Sequence, residues 1–199
     1  MTKIKICGLF RDQDIDYINE AKPDYAGFIL HFPRSHRNLD LDRAVTLRNR
    51  LLPQIRPVCV LVDQPIERVI HTAERLRADV IQLHGHEDDD YIEELIVRTG
   101  KEIWKAFRIR CEEDLAVASL SKADMVLLDN GYGTGQTFDW SLLESFDRPF
   151  ILAGGLTPEN IWEGIDRFHP MAVDISSGVE TEGIKDQERI MAAVEAARR

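Results

Sequence analysis

Two short apolar runs in this sequence each end in a side chain able to move a proton. Lys5-Ile6-Cys7-Gly8 delivers a thiol near the start of the chain, and Val126-Leu127-Leu128-Asp129 delivers a carboxyl two-thirds of the way along it. A thiol and a carboxyl facing one cavity make a base–acid couple suited to moving protons on a sugar. The couple exists only if both runs are parallel strands ending at the same rim. Each residue also has an ordinary reading. A lone strand cysteine is usually a small buried hydrophobe, and an aspartate after a strand often caps the loop or helix that follows. A free thiol, with a pKa of about 8.5, is only a few per cent thiolate at neutral pH. Lys5 is the neighbouring cation that could lower it.

The elements needed to position these groups alternate from end to end. Apolar, strand-sized runs lie at Ile4–Cys7, Tyr25–Leu30, Pro57–Val62, Val80–Leu83, Glu102–Phe107, Met125–Asp129, Phe150–Ala153 and Ala172–Ile175. Between and after them, helical spacing marks Asp12–Ala21, Leu41–Leu52, Ile66–Leu76, Asp88–Thr99, a weak helix near Cys111–Ala118, a short one near Trp140–Leu143, Pro158–Phe168 with Thr157 as N-cap, and Asp186–Arg198. The strands read as continuous apolar runs, as strands covered on both faces should. Eight βα units of about 25 residues each predict an α/β, single-domain TIM (β/α)8 barrel over residues 1–199. A doubly wound open sheet also alternates β and α. Eight even units without a dinucleotide fingerprint favour the closed barrel.

Composition narrows the function classes. The 199 residues are 44% hydrophobic and 30% charged, as in ordinary soluble globular chains. No apolar run approaches a membrane span, and Arg11, Asp12 and Asp14 break the start as a signal peptide. Cys7, Cys59 and Cys111 are odd in number, widely spaced and without a C-x-x-C, which argues against a disulfide framework or structural zinc and for a reducing cytoplasm. A net charge of −10 argues against nucleic acid as a partner and gives anionic substrates no general attraction. Any phosphate must then be held locally, for instance by backbone N–H groups at helix starts.

In a barrel of this kind reactive groups gather at the C-terminal ends of the strands. Those ends carry Cys7-Gly8, His31 to Arg37, Asp63, His84-Gly85, Arg108, Asp129, Gly154-Gly155 and Ser176-Ser177-Gly178. The last two follow the seventh and eighth strands, where the fold most often binds phosphate. Either could be no more than a tight turn, but two at adjacent strand ends point to a phosphate site. His84 reads equally as a titrating base or a hydrogen-bonded structural histidine. Arg34 and Arg37 sit in a polar loop where solvation is the default, though an arginine there can clamp a carboxylate bidentately. Gly131-Tyr132-Gly133-Thr134-Gly135 has the wrong spacing and place for a dinucleotide fingerprint and reads as a rim segment.

Taken in order, these segments resemble the phosphoribosylanthranilate isomerase family of tryptophan biosynthesis across essentially the whole chain. The resemblance rests on Lys5–Gly8, Gly27-Phe28, Pro33–Arg37, Gln82–Gly85, Leu127–Asp129, Gly133–Trp140, Gly154–Asn160 and Asp174–Glu180. It implies an Amadori rearrangement of an aminoaldose phosphate to an aminoketose phosphate. It also implies roles: Asp129 as the general acid that opens the furanose ring, and Cys7 as the general base that takes the C2′ proton. Arg37 would hold the anthranilate carboxylate, His84 would contact the substrate, and the backbone at Gly154, Gly155, Ser177 and Gly178 would hold the phosphate. No metal or organic cofactor is implied, because the substrate's imine nitrogen is the electron sink. The partner is a small-molecule phosphosugar, and the chain a monomer or homodimer. Phe10 stands where the family usually has Thr or Ser, His36 where Pro is common, and Gln136 where Lys is common. Three rivals remain at this stage. The analogous isomerase of histidine biosynthesis has an aspartate in place of Cys7. A non-catalytic phosphosugar-binding barrel would keep the fold without turnover. A metal-dependent epimerase would need His31, Asp63, His84 and Asp174 as ligands.

Overall fold

The computed structural model describes residues 2–129 and 140–199. Eight parallel strands close on themselves: β1 (Lys3–Cys7), β2 (Tyr25–Leu30), β3 (Arg56–Leu61), β4 (Val80–Leu83), β5 (Glu102–Arg108), β6 (Met125–Asp129), β7 (Phe150–Leu152) and β8 (Ala172–Ile175). Each pairs with the next, and β8 and β2 both pair with β1. Register partners run from Cys7 through Gly27, Val58 and Val80 to Glu102, then through Trp104–Met125, Val126–Phe150, Ile151–Ala172 and Ala172–Lys3. One circuit returns to β1 eight residues before its start. That stagger is the shear of a TIM barrel and rules out the open sheet.

Around the barrel lie α1 (Asp12–Ala21), α2 (Leu41–Arg48), α3 (Ile66–Leu76), α4 (Asp89–Thr99), α5 (Glu112–Leu120), α6 (Ile161–Phe168) and α7 (Gln187–Ala197), with a 3₁₀ helix at Trp140–Ser145 after β6. Their starts are set by short acidic side chains. Asp40 accepts from the Arg43 N–H, Asp88 from Tyr91 and Asp186 from Arg189. Asp14 reaches back to the N–H groups of Phe10 and Arg11. Helical spacing turns Ile15, Ile18 and Ala21 of α1 and Val69, Ala73 and Leu76 of α3 onto the barrel, where they join the outward residues of the strands in one apolar layer.

Alternate strand residues point inward and form a second core of Tyr25, Val58, Val60, Val80, Trp104, Leu127 and Ile151 among others. Below it, Arg56 bonds Glu102 and the Tyr25 hydroxyl, closing the N-terminal end. Two helix boundaries differ from expectation by about a turn: α2 ends at Arg48, not at Leu52, and the helix after β7 begins at Ile161, not at Pro158. Residues 158–160 form a turn instead, and Asn160 accepts from the Thr157 N–H at 2.7 Å and donates to the Gly155 carbonyl at 3.0 Å. Two short additions carry no sequence signal. Asn38–Leu39 extends the sheet beside β2, and Glu180–Thr181 pairs with Ile184–Lys185 as a small hairpin after β8. Among the described residues no helix is long and apolar enough to cross a membrane.

Candidate active site

Cys7 is the last residue of β1, and its parity places it inward with Lys5. Lys5, on the same face two residues earlier, is wholly buried and bonds both carboxylate oxygens of Asp174 at 2.9 Å. Gly27, the register partner of Cys7, leaves the space both side chains need. A Cβ there would stand 2.9 Å from Cys7 Sγ and 3.0 Å from Lys5 Nζ. Burial pushes the Cys7 thiol up, the Lys5 charge pulls it down, Asp174 pushes it up again, and the balance stays above the ordinary thiol value. Burial alone would lower Lys5, but Asp174 and Cys7 outweigh it and keep the ammonium charged. Lys5 is thus where the sequence suggested, but it moderates the thiol rather than ionising it.

Asp129 ends β6 on the inward parity of Leu127, three strand positions round the barrel from Cys7. His84, just past β4, brings Nε2 to 3.7 Å from Asp129 Oδ2. Its other nitrogen lies 3.3 Å from the Gln82 side-chain amide nitrogen. With Gln82 donating to Nδ1, the neutral ring carries its proton on Nε2, toward Asp129. Burial holds the His84 imidazole below its usual value against the opposing pull of Asp129.

Arg37 folds over the rim above β1. Gly8, at φ +77°, makes this possible, since a Cβ there would occupy the place of Arg37 Cδ. The guanidinium lies close enough to Cys7 for a thiolate there to favour its charge. After β7, Gly154 and Gly155 take left-handed φ values of +83° and +67°, a conformation that suits glycine. After β8, Ser177 and Gly178 open a short 3₁₀ turn. The two loops are pressed together, because a Cβ on Gly178 would overlap the Leu156 carbonyl. Among the described residues the main-chain N–H groups of Gly154, Gly155, Ser177 and Gly178 take no part in the backbone bonding of these loops. They form a concave set of donors suited to an anion.

All eight residues singled out from the sequence therefore collect at one rim. Of the epimerase alternative's residues His84 is at that rim, but the four do not converge as a ligand set. His31 turns outward to bond Thr72 Oγ1 at 3.0 Å, Asp63 is held by the backbone and ring of His86, and Asp174 is bound to Lys5. Among the described residues no group of three or more His, Cys, Asp or Glu could hold a metal ion. The glycine-rich segment 131–135 and Gln136 lie outside the described residues. Sequence reasoning gave no role to Gln82, Asn160, Lys185 or the Lys5–Asp174 pair. A charge inside an apolar strand, at Lys5 and again at Asp174, was the available signal for the last.

The chain is similar to known proteins over its whole length. The sequence model described as N-(5'phosphoribosyl)anthranilate (PRA) isomerase matches residues 4–196. An N-(5'-phosphoribosyl)anthranilate isomerase of Thermoanaerobacter sp. (strain X514) is 43% identical, with 100% of this chain and 98% of that protein covered. The crystal structure of phosphoribosyl anthranilate isomerase from Thermotoga maritima superposes with a TM-score of 0.91 at 33% identity, covering 100% of this chain and 99% of that one. A structure of phosphoribosyl anthranilate isomerase in complex with reduced 1-(o-carboxyphenylamino)-1-deoxyribulose 5-phosphate gives 0.89 at 32% identity, with the same coverage. The chain belongs to the N-(5'-phosphoribosyl)anthranilate isomerase family.

Proposed function

We propose that this chain converts N-(5-phosphoribosyl)anthranilate to 1-(2-carboxyphenylamino)-1-deoxyribulose 5-phosphate, the Amadori step of tryptophan biosynthesis, with Cys7 and Asp129 as its proton-transfer groups. Asp129, starting protonated, gives its proton to the furanose ring oxygen. The C1′–O bond breaks, and the nitrogen lone pair forms the Schiff base. Cys7, as thiolate, takes the proton from C2′, and the electron pair left behind flows toward the iminium nitrogen to give an enolamine. That species tautomerises to the ketose: a proton arrives at C1′ and the C2′ hydroxyl loses one. No electrons enter or leave, so the chemistry asks for two correctly protonated groups and a held substrate.

The observation that carries the reading is the placement of Cys7 and Asp129 on the inward parity at the same end of one closed barrel. Arg37 would hold the anthranilate carboxylate, the backbone of Gly154, Gly155, Ser177 and Gly178 would hold the phosphate, and His84 would contact the substrate beside Asp129. Loss of substrate fluorescence tests the proton-transfer roles. Cys7→Ser and Asp129→Asn should each reduce turnover by at least about a hundredfold while the protein stays folded. Turnover retained in either variant would remove that residue from its role.

A further inference from the structure

Arg37 is held by a buried network that the reaction itself does not use. Its Nε and Nη2 donate side-on to Glu180, at 2.7 Å to Oε1 and 2.5 Å to Oε2. Glu180 Oε1 also accepts from Lys185 Nζ at 2.5 Å. Lys185 in turn donates to the Ser176 carbonyl at 3.0 Å, and the Ser176 hydroxyl donates to the Cys7 carbonyl at 3.0 Å. The Glu180 and Lys185 side chains are 4% and 0% exposed, so these charges are removed from water and depend on one another. Burial alone would raise the Glu180 carboxyl, but Arg37 and Lys185 outweigh it and keep the group ionised.

The geometry has a direction. The side-on contact occupies the Nε–Nη2 edge of the guanidinium and leaves Nη1 without a partner among the described residues. At its other end the network fixes Ser176, the residue before the Ser177-Gly178 phosphate turn. The hairpin carrying Glu180 and Lys185 is tied down on both sides. Arg11 Nη2 donates to the Lys185 carbonyl at 2.8 Å, and His36 Nε2 lies 3.2 Å from the Gly183 carbonyl. His36 also meets Phe10 edge-on at 6.2 Å.

We infer that Glu180 and Lys185 are positioning residues that join Arg37 to the Ser176–Gly178 turn, so that the substrate's carboxylate and phosphate ends are gripped at one fixed separation. The inference rests on Arg37 as the carboxylate ligand. It goes further in assigning the fixed distance between the two grips to a buried ion network. A displacement of about 1 Å at a substrate grip can cost on the order of a hundredfold. The loss belongs mainly in KM, since neither residue touches the reacting atoms.

The test measures kcat and KM for phosphoribosylanthranilate, with competition by anthranilate (carboxylate end alone) and ribose 5-phosphate (phosphate end alone). Glu180→Gln should raise KM roughly tenfold or more with a much smaller change in kcat, and weaken anthranilate while sparing ribose 5-phosphate. Lys185→Met should weaken both fragments. In an Arg37→Lys background Glu180→Gln should add little, because it acts through Arg37. Glu180→Asp keeps the buried charge, and with it the fold, but draws the guanidinium back, so KM should rise there as well. Unchanged KM in both Glu180 variants would overturn the inference, as would an undiminished Glu180 effect in the Arg37→Lys background. If Arg37→Lys itself leaves KM and anthranilate competition unchanged, the carboxylate assignment falls, and this inference with it.

Discussion

Cys7 has surroundings that oppose the form in which it works. Burial holds the thiol protonated, and Lys5 offsets only part of that effect because Asp174 claims both of its strong contacts. The base is needed as thiolate, so at neutral pH the competent fraction falls about tenfold for each pH unit below the thiol's raised pKa. The thiol's own titration shows this directly: the ultraviolet thiolate absorbance, taken as wild type minus Cys7→Ser, should rise with pH and reach its midpoint only above the ordinary thiol range. A midpoint below about pH 8.5 would show that the site ionises Cys7 in spite of its burial. Cys7 and Asp129 were legible because each interrupts an apolar run at a strand end. The Lys5–Asp174 pair was half legible: Lys5 lies two residues from Cys7, but 169 positions separate it from its partner, and only barrel closure brings them together.

At the scale of elements, the loop after β7 shows where a local rule gives way to a tertiary one. Thr157-Pro158 carries the signals of a helix N-cap and first turn. Asn160 is an equally good cap residue, yet its side chain turns back to hold the Thr157 N–H and the Gly155 carbonyl. The helix starts later because a side chain that could have capped it fixes the glycine loop instead. Asn160→Ala should therefore act on binding more than on the helix. KM for the phosphosugar should rise roughly five- to twentyfold and kcat change less than about threefold, measured in the same fluorescence assay. Equal falls in kcat and kcat/KM would place Asn160 in the transition state rather than under the phosphate loop. The hairpin at Glu180–Lys185 could not be read at all. Its strands are two residues long, too short for any alternation to appear.

Over the whole molecule, a closed barrel separates stability from chemistry along its axis. The continuous apolar runs visible in the sequence marked which segments pack, but not that the inward set divides into an apolar plug below and a polar site above; that division follows from strand direction and shear. Trp104 sits in the plug, 1% exposed, edge-on to Tyr25 at 4.9 Å, with its indole N–H donated to Glu102 at 2.7 Å. Glu102 in turn bonds Arg56, which reaches the Tyr25 hydroxyl, so the indole links the apolar layer to the ion cluster that shuts the N-terminal end. Trp104→Ala removes a large buried ring and leaves Glu102 one donor short, a loss of about 3–5 kcal/mol in unfolding free energy. Cys7 belongs to the same inward cluster but, like Asp129, ends its strand, whereas Trp104 lies near the start of β5. The folded fraction, assayed at low temperature, should keep kcat/KM within about threefold of wild type, as expected of sites with no shared partners. Urea denaturation and the fluorescence assay on the same preparation separate the two effects. A small shift in midpoint with a large loss of kcat/KM would mean that the plug transmits to the rim, and that the axial division between scaffold and site does not hold.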